Sequence, residues 1–393
     1  MHFLENMRAG VAWSDEERLL LEQVRRVCAE TIAPNAAALD KSGDFPTENM
    51  ARLNDLGLNG IFVPEAYGGT PMGYRVYLEC VKLISEACAS TGIIYATNFH
   101  AMKPLIDLGS EEQRARLLPR IAGGGMGALA ITEATAGSDA TGMRTRFTED
   151  GDEIIVEGAK LFISNGDVAD LILLFGKWAG EEDSKRAISA LIVERDAPGL
   201  VVGRKEDKMG HRAASTVELR FEECRVPRAN LLAGPGEGLP VLLTSLNKSR
   251  PSVAAHAIGI ARAALADMVD YMNTREQSGR RVIDFQGNQF MLADLASELA
   301  MVETWLDHVA RRIEGGCIEA GDAHIGVEAS IAKMRASDLA MRMATEAVQM
   351  HGGYGYISEY RPERLMRDAK ITQIWEGTNQ VHRQLIGRNF KQR

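Results

Sequence analysis

From Ser14 the chain reads SDEERLLLEQVRRVCAETIAP, with apolar residues at helical spacing behind a capping pair, Ser14 and Glu17; the pattern predicts a helix that stops at Pro34. A second helical pattern covers Pro46 to Leu56 and ends at Gly57, and after the loop VPEAYGG a third runs from Met72 to Ala89. The first part of the chain therefore reads as all-helical. At Gly127 the period changes. Short apolar runs, GALAIT, EIIVEGAKLFIS, LILLFG, AISALIVE and TVELRFEE, alternate with Gly, Asp and Asn and predict strands of a barrel or sandwich as far as Arg228. Long alanine-rich amphipathic stretches return over Pro240 to Asn273, Phe285 to Glu314 and Gly326 to Gln349, the pattern of an antiparallel bundle.

A chain of 393 residues is long enough for about two to three domains and a sizeable core. Its net charge of -9, with no long basic run, argues against nucleic acid as a partner. The five cysteines are scattered, as expected of reduced thiols in a reducing compartment. No CxxC pair or close Cys/His cluster has ligand spacing, so no metal is expected. Glu5 and Arg8 interrupt the N-terminal MHFLENMRAGVAW, which does not read as a signal peptide, and no run reaches membrane-spanning length, so no membrane partner is expected.

Two segments carry candidate chemistry. In QIWEGTNQVHRQLIGR, Thr378 is a plausible N-cap, and Glu376 stands just before it. An acidic residue there is either a solvated carboxylate favoured by the free amides of the first turn or a functional group. In ITEATAGSDATG, the hydroxyls of Thr132, Thr135, Ser138 and Thr141 lie among small residues, so the loop is either a solvated hairpin or a backbone cradle for phosphate or a heteroaromatic edge.

The order of ITEATAGSD, KLFISNG, KMGHRAASTVELRFEECRVP, LNKSRP, VQMHGGYGY and LMRDAKITQIWEGTNQ within this helix-strand-helix texture resembles the acyl-CoA dehydrogenase family over nearly the whole chain. The resemblance implies an α+β multidomain fold, with an N-terminal helical domain over 1–125, a central β-barrel domain over 126–232 and a C-terminal four-helix bundle over 233–393. It also implies one FAD per subunit and a homo-oligomer, commonly a tetramer. Thr132 and Ser138 match positions that bond the flavin's pyrimidine edge and the FAD pyrophosphate; Ile131 belongs with them, Ser164 matches the hydroxyl facing flavin N5, and Phe162 stands where the family often has a tryptophan against the ring system. Read alone, Phe162 is a core residue on the apolar side of a strand. Arg275 resembles the arginine that reaches the FAD pyrophosphate of a neighbouring subunit, Gln286 falls among the cofactor positions, and Gln349, Gly352 and Gly353 look like adenine-side contacts. The sequence departs from the family at Ser278, where phenylalanine is usual.

Asn247 and Arg250 match positions near bound CoA, with Ser138 and Gly377 also on the substrate side. Some relatives place the catalytic base just before the arginine; here that residue is Ser249, and Glu376 lies where most of the family keeps its base. Thr378 and Gln380 resemble further FAD contacts, and Trp375 an aromatic that closes the site to water and oxygen. The implied activity is α,β-dehydrogenation of an acyl-CoA to trans-2,3-enoyl-CoA, with electrons passed to an electron-transfer flavoprotein. Rival readings are an acyl-CoA oxidase or flavin monooxygenase of the same fold, and a non-catalytic flavin-binding relative. The helix IIYATNFHAMKPL corresponds to the pocket floor; its Tyr95, His100 and Lys103 either recognise a polar or cyclic acyl group or, for His100 and Lys103, lie on a solvated face. A bacterial cytoplasm is the expected location, or the mitochondrial matrix for a processed eukaryotic chain.

Overall fold

The computed structural model describes residues 12–181 and 185–391. Helix α1, Asp15–Val27, starts at the capping box: the Glu17 amide donates to Ser14 Oγ at 3.2 Å and the Ser14 amide to Glu17 Oε2 at 2.7 Å. Pro34 does not end the helical path. A widened π turn, Cys28–Ile32, leads into α2, Ala33–Ser42, and the proline falls in the first turn of that helix, where its missing N–H costs little. Helix α3, Thr47–Asp55, matches its sequence pattern, and Gly57 takes the left-handed backbone that follows it. The third pattern ends close to the expected place, with α4 at Tyr74–Ala87; an extended Cys88 separates it from α5, Ala89–Leu108. Helix α6, Glu111–Ala122, begins at a second capping box, Ser110 with Gln113.

The strands β1 Gly127–Ala130, β2 Arg146–Asp150, β3 Glu153–Ser164, β4 Leu171–Trp178, β5 Ile188–Glu194, β6 Leu200–Lys205, β7 Thr216–Pro227 and β8 Leu231–Leu232 form one sheet in the order β6-β7-β3-β2-β4-β5-β8, with β1 parallel to β4. Among the described residues no ladder joins β6 to β8, so this is a central sheet domain without the hydrogen-bonded closure of a barrel. The unbroken apolar runs of β4 and β5 have a direct cause. Leu171, Leu173 and Ile192 pack with Met102 and Leu118 of the helices, while Ile172, Leu174 and Leu191 face a second cluster with Phe147 and Leu219. Both faces are buried, and alternation disappears.

The C-terminal part comprises α7 Gly238–Thr274, the two-residue strands β9 Glu276–Gln277 and β10 Arg280–Arg281, α8 Gln286–Glu314, α9 Ile325–His351, α10 Arg361–Thr372 and α11 Asn379–Arg388. By length and composition α7 would span a membrane, but 89% of its most apolar window is buried inside the protein, which makes it the core helix. Its alanines join the N-terminal helices and the bundle in one apolar cluster. At Gly259 a Cβ would lie 2.5 Å from the Lys82 carbonyl, so α7 and α4 meet backbone to backbone.

Arg262, almost fully buried on α7, bonds Glu79 of α4 at 2.9 Å and Glu303 of α8 at 2.7 Å, and Lys82 completes the group at 2.9 Å from Glu79. Taking these charges out of water is costly, and the group is stable because each is matched. Arg262→Met leaves buried carboxylates with less compensation and should destabilise the fold by about 3–5 kcal/mol. A denaturant midpoint equal to the parent's would show that the three helices do not depend on it.

Candidate active site

Glu376 lies in the turn between α10 and α11, and both it (φ 52) and Gly377 (φ 95) have left-handed backbones. For glutamate this conformation costs on the order of 1–3 kcal/mol, so the surroundings must impose it. They do so through buried polar groups. Lys333 Nζ donates to the Gly377 carbonyl at 2.7 Å and to Asn379 Oδ1 at 3.0 Å, Asn379 Nδ2 reaches Asp338 at 2.7 Å, and the Asn379 amide donates to the Gln373 carbonyl at 3.0 Å. Thr378 is the N-cap of α11, accepting from the Val381 amide at 3.3 Å. Burial lowers the Lys333 ammonium to about 7, with the Glu376 charge opposing that shift.

The Glu376 carboxylate is only 16% exposed, which rules out the solvated reading. Its Oε2 accepts from Ser249 Oγ at 2.7 Å, and Oε1 lies 4.0 Å from His100 Nδ1. Arg250, next to Ser249 and buried, bonds Asn247 Oδ1 at 3.4 Å and leaves its Nε unpartnered. His100 is 4% exposed, so its expected solvated face does not exist; α5 is buried around its whole circumference from Ala89 to Met102. Lys103 is partly exposed and pairs with Asp107. Trp375 packs on His211 and His256, with ring centroids 5.2 and 5.7 Å away, and the two imidazoles bond each other through their Nε2 atoms at 2.8 Å.

A second group sits on the sheet. The Ile131 carbonyl accepts from Lys160 Nζ at 2.9 Å and the Thr132 carbonyl from the Leu161 amide at 2.8 Å, so the ITEATAGSD loop is tied to the strand end that carries Phe162 and Ser164. Glu133, bonded to Lys160 at 2.7 Å and to Thr145 Oγ1 at 2.6 Å, anchors the same loop from below. Phe162 is not a core residue. It is 62% exposed, and a register shift between Lys160 and Ile163 leaves it at φ 58. Ser164 is half-buried, Ser138 exposed. Asn165 Nδ2 then joins this strand end to α5, reaching the Ile94 carbonyl at 3.2 Å, which fixes the sheet against the helix that carries His100.

The third group lies apart. Arg275, Gln286, Gln349, Gly352 and Gly353 are all exposed, and the Arg275 guanidinium lies 5.9 Å from the ring centroid of Tyr354, which places it beside the glycine pair. Ser278 and Gly279, φ 52 and 76, make the tight turn between β9 and β10. Ser278 supplies no ring; the aromatic in this hairpin's reach is Phe285, 3.8 Å from the Arg280 guanidinium. Arg250 and Arg275 stand at separate points of α7, about 37 Å apart at 1.5 Å per residue. Gln380 is exposed on α11.

Family models describing the acyl-CoA dehydrogenase N-terminal, middle and C-terminal domains match residues 14–125, 128–224 and 236–391. The chain belongs to the acyl-CoA dehydrogenase family. Its members are oxidoreductases, and this one is an acyl-CoA dehydrogenase by relationship over 95% of its length. It is 40% identical to the cyclohex-1-ene-1-carbonyl-CoA dehydrogenase of Geobacter metallireducens over 95% of this chain and 98% of that one. The butyryl-CoA dehydrogenase of Megasphaera elsdenii superimposes with a TM-score of 0.92 at 35% identity, over 96% and 99% of the two chains. A chain from a structural study of the electron transferring flavoprotein of Acidaminococcus fermentans gives 0.93 at 37% identity, over 97% and 99%.

Sequence reasoning missed Ser249 as a donor, noting only that it is no carboxylate, and missed Lys333 altogether. The one available signal was position: Ser249 precedes the arginine of LNKSRP, on the helix stripe that faces the base. At Gly377 a side chain would be strained, because an added Cβ would lie 3.2 Å from His382 Nε2 at a positive φ. Gly377→Ala should lower thermal stability by the equivalent of about 1–2 kcal/mol; an unchanged unfolding midpoint would show that the turn relaxes freely.

Proposed function

We propose that this protein is an FAD-dependent dehydrogenase that converts an acyl-CoA to the trans-2,3-enoyl-CoA and hands its electrons to an electron-transfer flavoprotein. The observation that carries the reading is the largely buried Glu376 carboxylate, held in a strained turn with one oxygen fixed by Ser249 and the other 4.0 Å from the His100 imidazole. A group built this way costs stability and suits proton abstraction.

The residues fit FAD. Phe162 presents an exposed aromatic face from a strained backbone, a poor choice for a free surface and a good one for stacking on a flat ring system. Ile131, Thr132, Ser138, Ser164, Thr378 and Gln380 offer backbone and side-chain polar groups around it. When bound, FAD supplies the acceptor for the hydride that leaves the substrate's β-carbon. Glu376 takes the α-proton. Ser249 holds the carboxylate in position, and the Glu376 N–H is available to the thioester oxygen, where negative charge grows as the proton departs. Asn247 and Arg250 flank the CoA side, Gly377 leaves room for the thioester, and Trp375, seated on two buried imidazoles, excludes water.

The exposed cluster of Arg275, Gln286, Gln349, Gly352 and Gly353 is too far along α7 to serve its own chain's Glu376 site, which supports a cofactor site completed by a second copy and hence a homo-oligomer, a tetramer in our reading. The Acidaminococcus relative supports the flavoprotein partner.

Glu376→Gln keeps size and removes the base: it should retain yellow FAD and bind acyl-CoA while losing flavin reduction. Anaerobic stopped-flow bleaching within tenfold of the parent, about 1.4 kcal/mol of barrier, would sink the assignment. Phe162→Gly tests the cofactor site by opposite signs. The cofactor-free protein should gain roughly 1 kcal/mol from relief of the left-handed backbone, while FAD retention through dialysis falls. Full retention would remove Phe162 from the site.

A further inference from the structure

Beside Glu376 a chain of buried polar side chains interrupts walls that are otherwise largely apolar. His100 Nε2 lies 2.8 Å from Ser252 Oγ, and Ser252 Oγ lies 2.9 Å from the hydroxyl of Tyr77; all three side chains are buried. Tyr77 also reaches the Ala96 carbonyl at 3.4 Å. The other imidazole nitrogen, Nδ1, faces Glu376 Oε1 at 4.0 Å, beyond hydrogen-bond range. An ionised carboxylate repels a lone pair, so the proton belongs on Nδ1, with Nε2 accepting from Ser252. A donor is thus aimed at the place where a substrate would lie against the base. Two small pockets flank α5, one lined by His100 with Phe99, Pro104 and Val241, the other by Tyr77 and Tyr95 with Phe62 and Met102. The Tyr95 hydroxyl, also buried, has no partner.

We propose that the acyl group this enzyme prefers carries an uncharged oxygen, a hydroxyl or carbonyl, on its γ-carbon, and that His100 is the residue that selects it; this rests on the reading of Glu376 as the base. The placement follows from reach. The base must lie about 3 Å from the α-carbon's proton, and Nδ1 is 4.0 Å from the same carboxylate oxygen, so an acceptor about 3 Å from Nδ1 lies close to the reacting carbons, and the γ-carbon is the first that dehydrogenation leaves untouched. Dehydrogenation still removes the α-proton and the β-hydride, and the γ-oxygen is untouched. The charge state follows from the neighbours. Lys248 is matched by Asp107 at 2.7 Å and Glu319 at 2.9 Å, Lys103 pairs with Asp107, and Arg250 and Lys333 feel the Glu376 charge. A second carboxylate placed against His100 would lie close to the Glu376 charge and would meet a neutral imidazole there, not a cation. Burial also keeps the His100 imidazole neutral, against the pull of Glu376.

A site that hydrogen-bonds a substrate group rejects the analogue lacking it, because its own buried donor is then left without a partner. With the FAD-loaded enzyme, 4-hydroxypentanoyl-CoA and 4-oxopentanoyl-CoA should therefore reduce flavin with kcat/KM about tenfold or more above pentanoyl-CoA and glutaryl-CoA. His100→Leu should erase that preference and improve pentanoyl-CoA, and His100→Gln, which keeps a donor, should retain part of it. Calorimetric binding of the same thioesters to Glu376→Gln should give the same ranking without turnover. Equal or better use of pentanoyl-CoA by the parent, or a ranking that His100→Leu leaves unchanged, overturns the inference while the dehydrogenase reading stands. If no acyl-CoA of any length or substitution bleaches the flavin, the reading of Glu376 fails and the inference with it.

Discussion

Helix α7 is buried around most of its circumference along its middle, so the polar side chains it carries there call for partners inside the protein. That requirement organises the molecule. Ser249 meets Glu376, Ser252 meets His100 and Tyr77, His256 bonds Ser85 at 2.7 Å and His211 at 2.8 Å, and Arg262 meets Glu79 and Glu303. Ser249, Ser252, His256 and Gly259 follow helical spacing and form one stripe. The glycine lets α4 approach, and the serines and histidine then bond groups on α4, α5 and the base-bearing turn. The same stripe that packs the N-terminal helices on the bundle therefore also positions the chemistry.

Strain is concentrated where the ligand chemistry is proposed. Phe162, Asn165 and Glu376 have left-handed backbones although none is glycine. At Asn165 the side chain returns two bonds, to the carbonyls of Ile94 and Gly127, and so offsets its backbone locally. Glu376 is held by neighbours, above all Lys333, a buried cation whose hydrogen bonds end on the turn itself. Phe162 has no such compensation among the described residues, and its exposed ring gains nothing from water. That imbalance is why the ring has meaning as a cofactor contact and little as packing.

The elements were largely legible because helix and strand periods differ and Gly or a cap closes most of them: the long bundle helices lie within two residues of their patterns, and Thr378 caps α11 as read. What escaped had no local signature. Pro34 reads as a stop, but the π turn before it rearranges the carbonyls a proline would disturb. His100 looks like a surface residue near Lys103 because only the packing of α4, α7 and the sheet around α5 makes its environment dry. Phe162 looks like a core strand residue because a register shift is invisible in the apolar pattern. Ser249 is silent for the same kind of reason: its partner is 127 residues away.

Around the carboxylate the charges are arranged so that the base stays available. A protonated imidazole 4.0 Å away would stabilise the ionised carboxylate strongly and weaken it as a base. Burial prevents this, keeping His100 neutral, and leaves the negative charge to one short bond from Ser249 and to the more distant fields of Arg250 and Lys333. Among the described residues neither of those two cations makes an ion pair with Glu376, so each acts on it only through its field. The result is a carboxylate without a contact ion pair among the described residues, beside a neutral donor that can turn to the substrate. Specificity and basicity are then linked through one imidazole: whatever keeps His100 dry enough to remain neutral also leaves its Nδ1–H in need of an acceptor, and the substrate is the one group that arrives there to provide it.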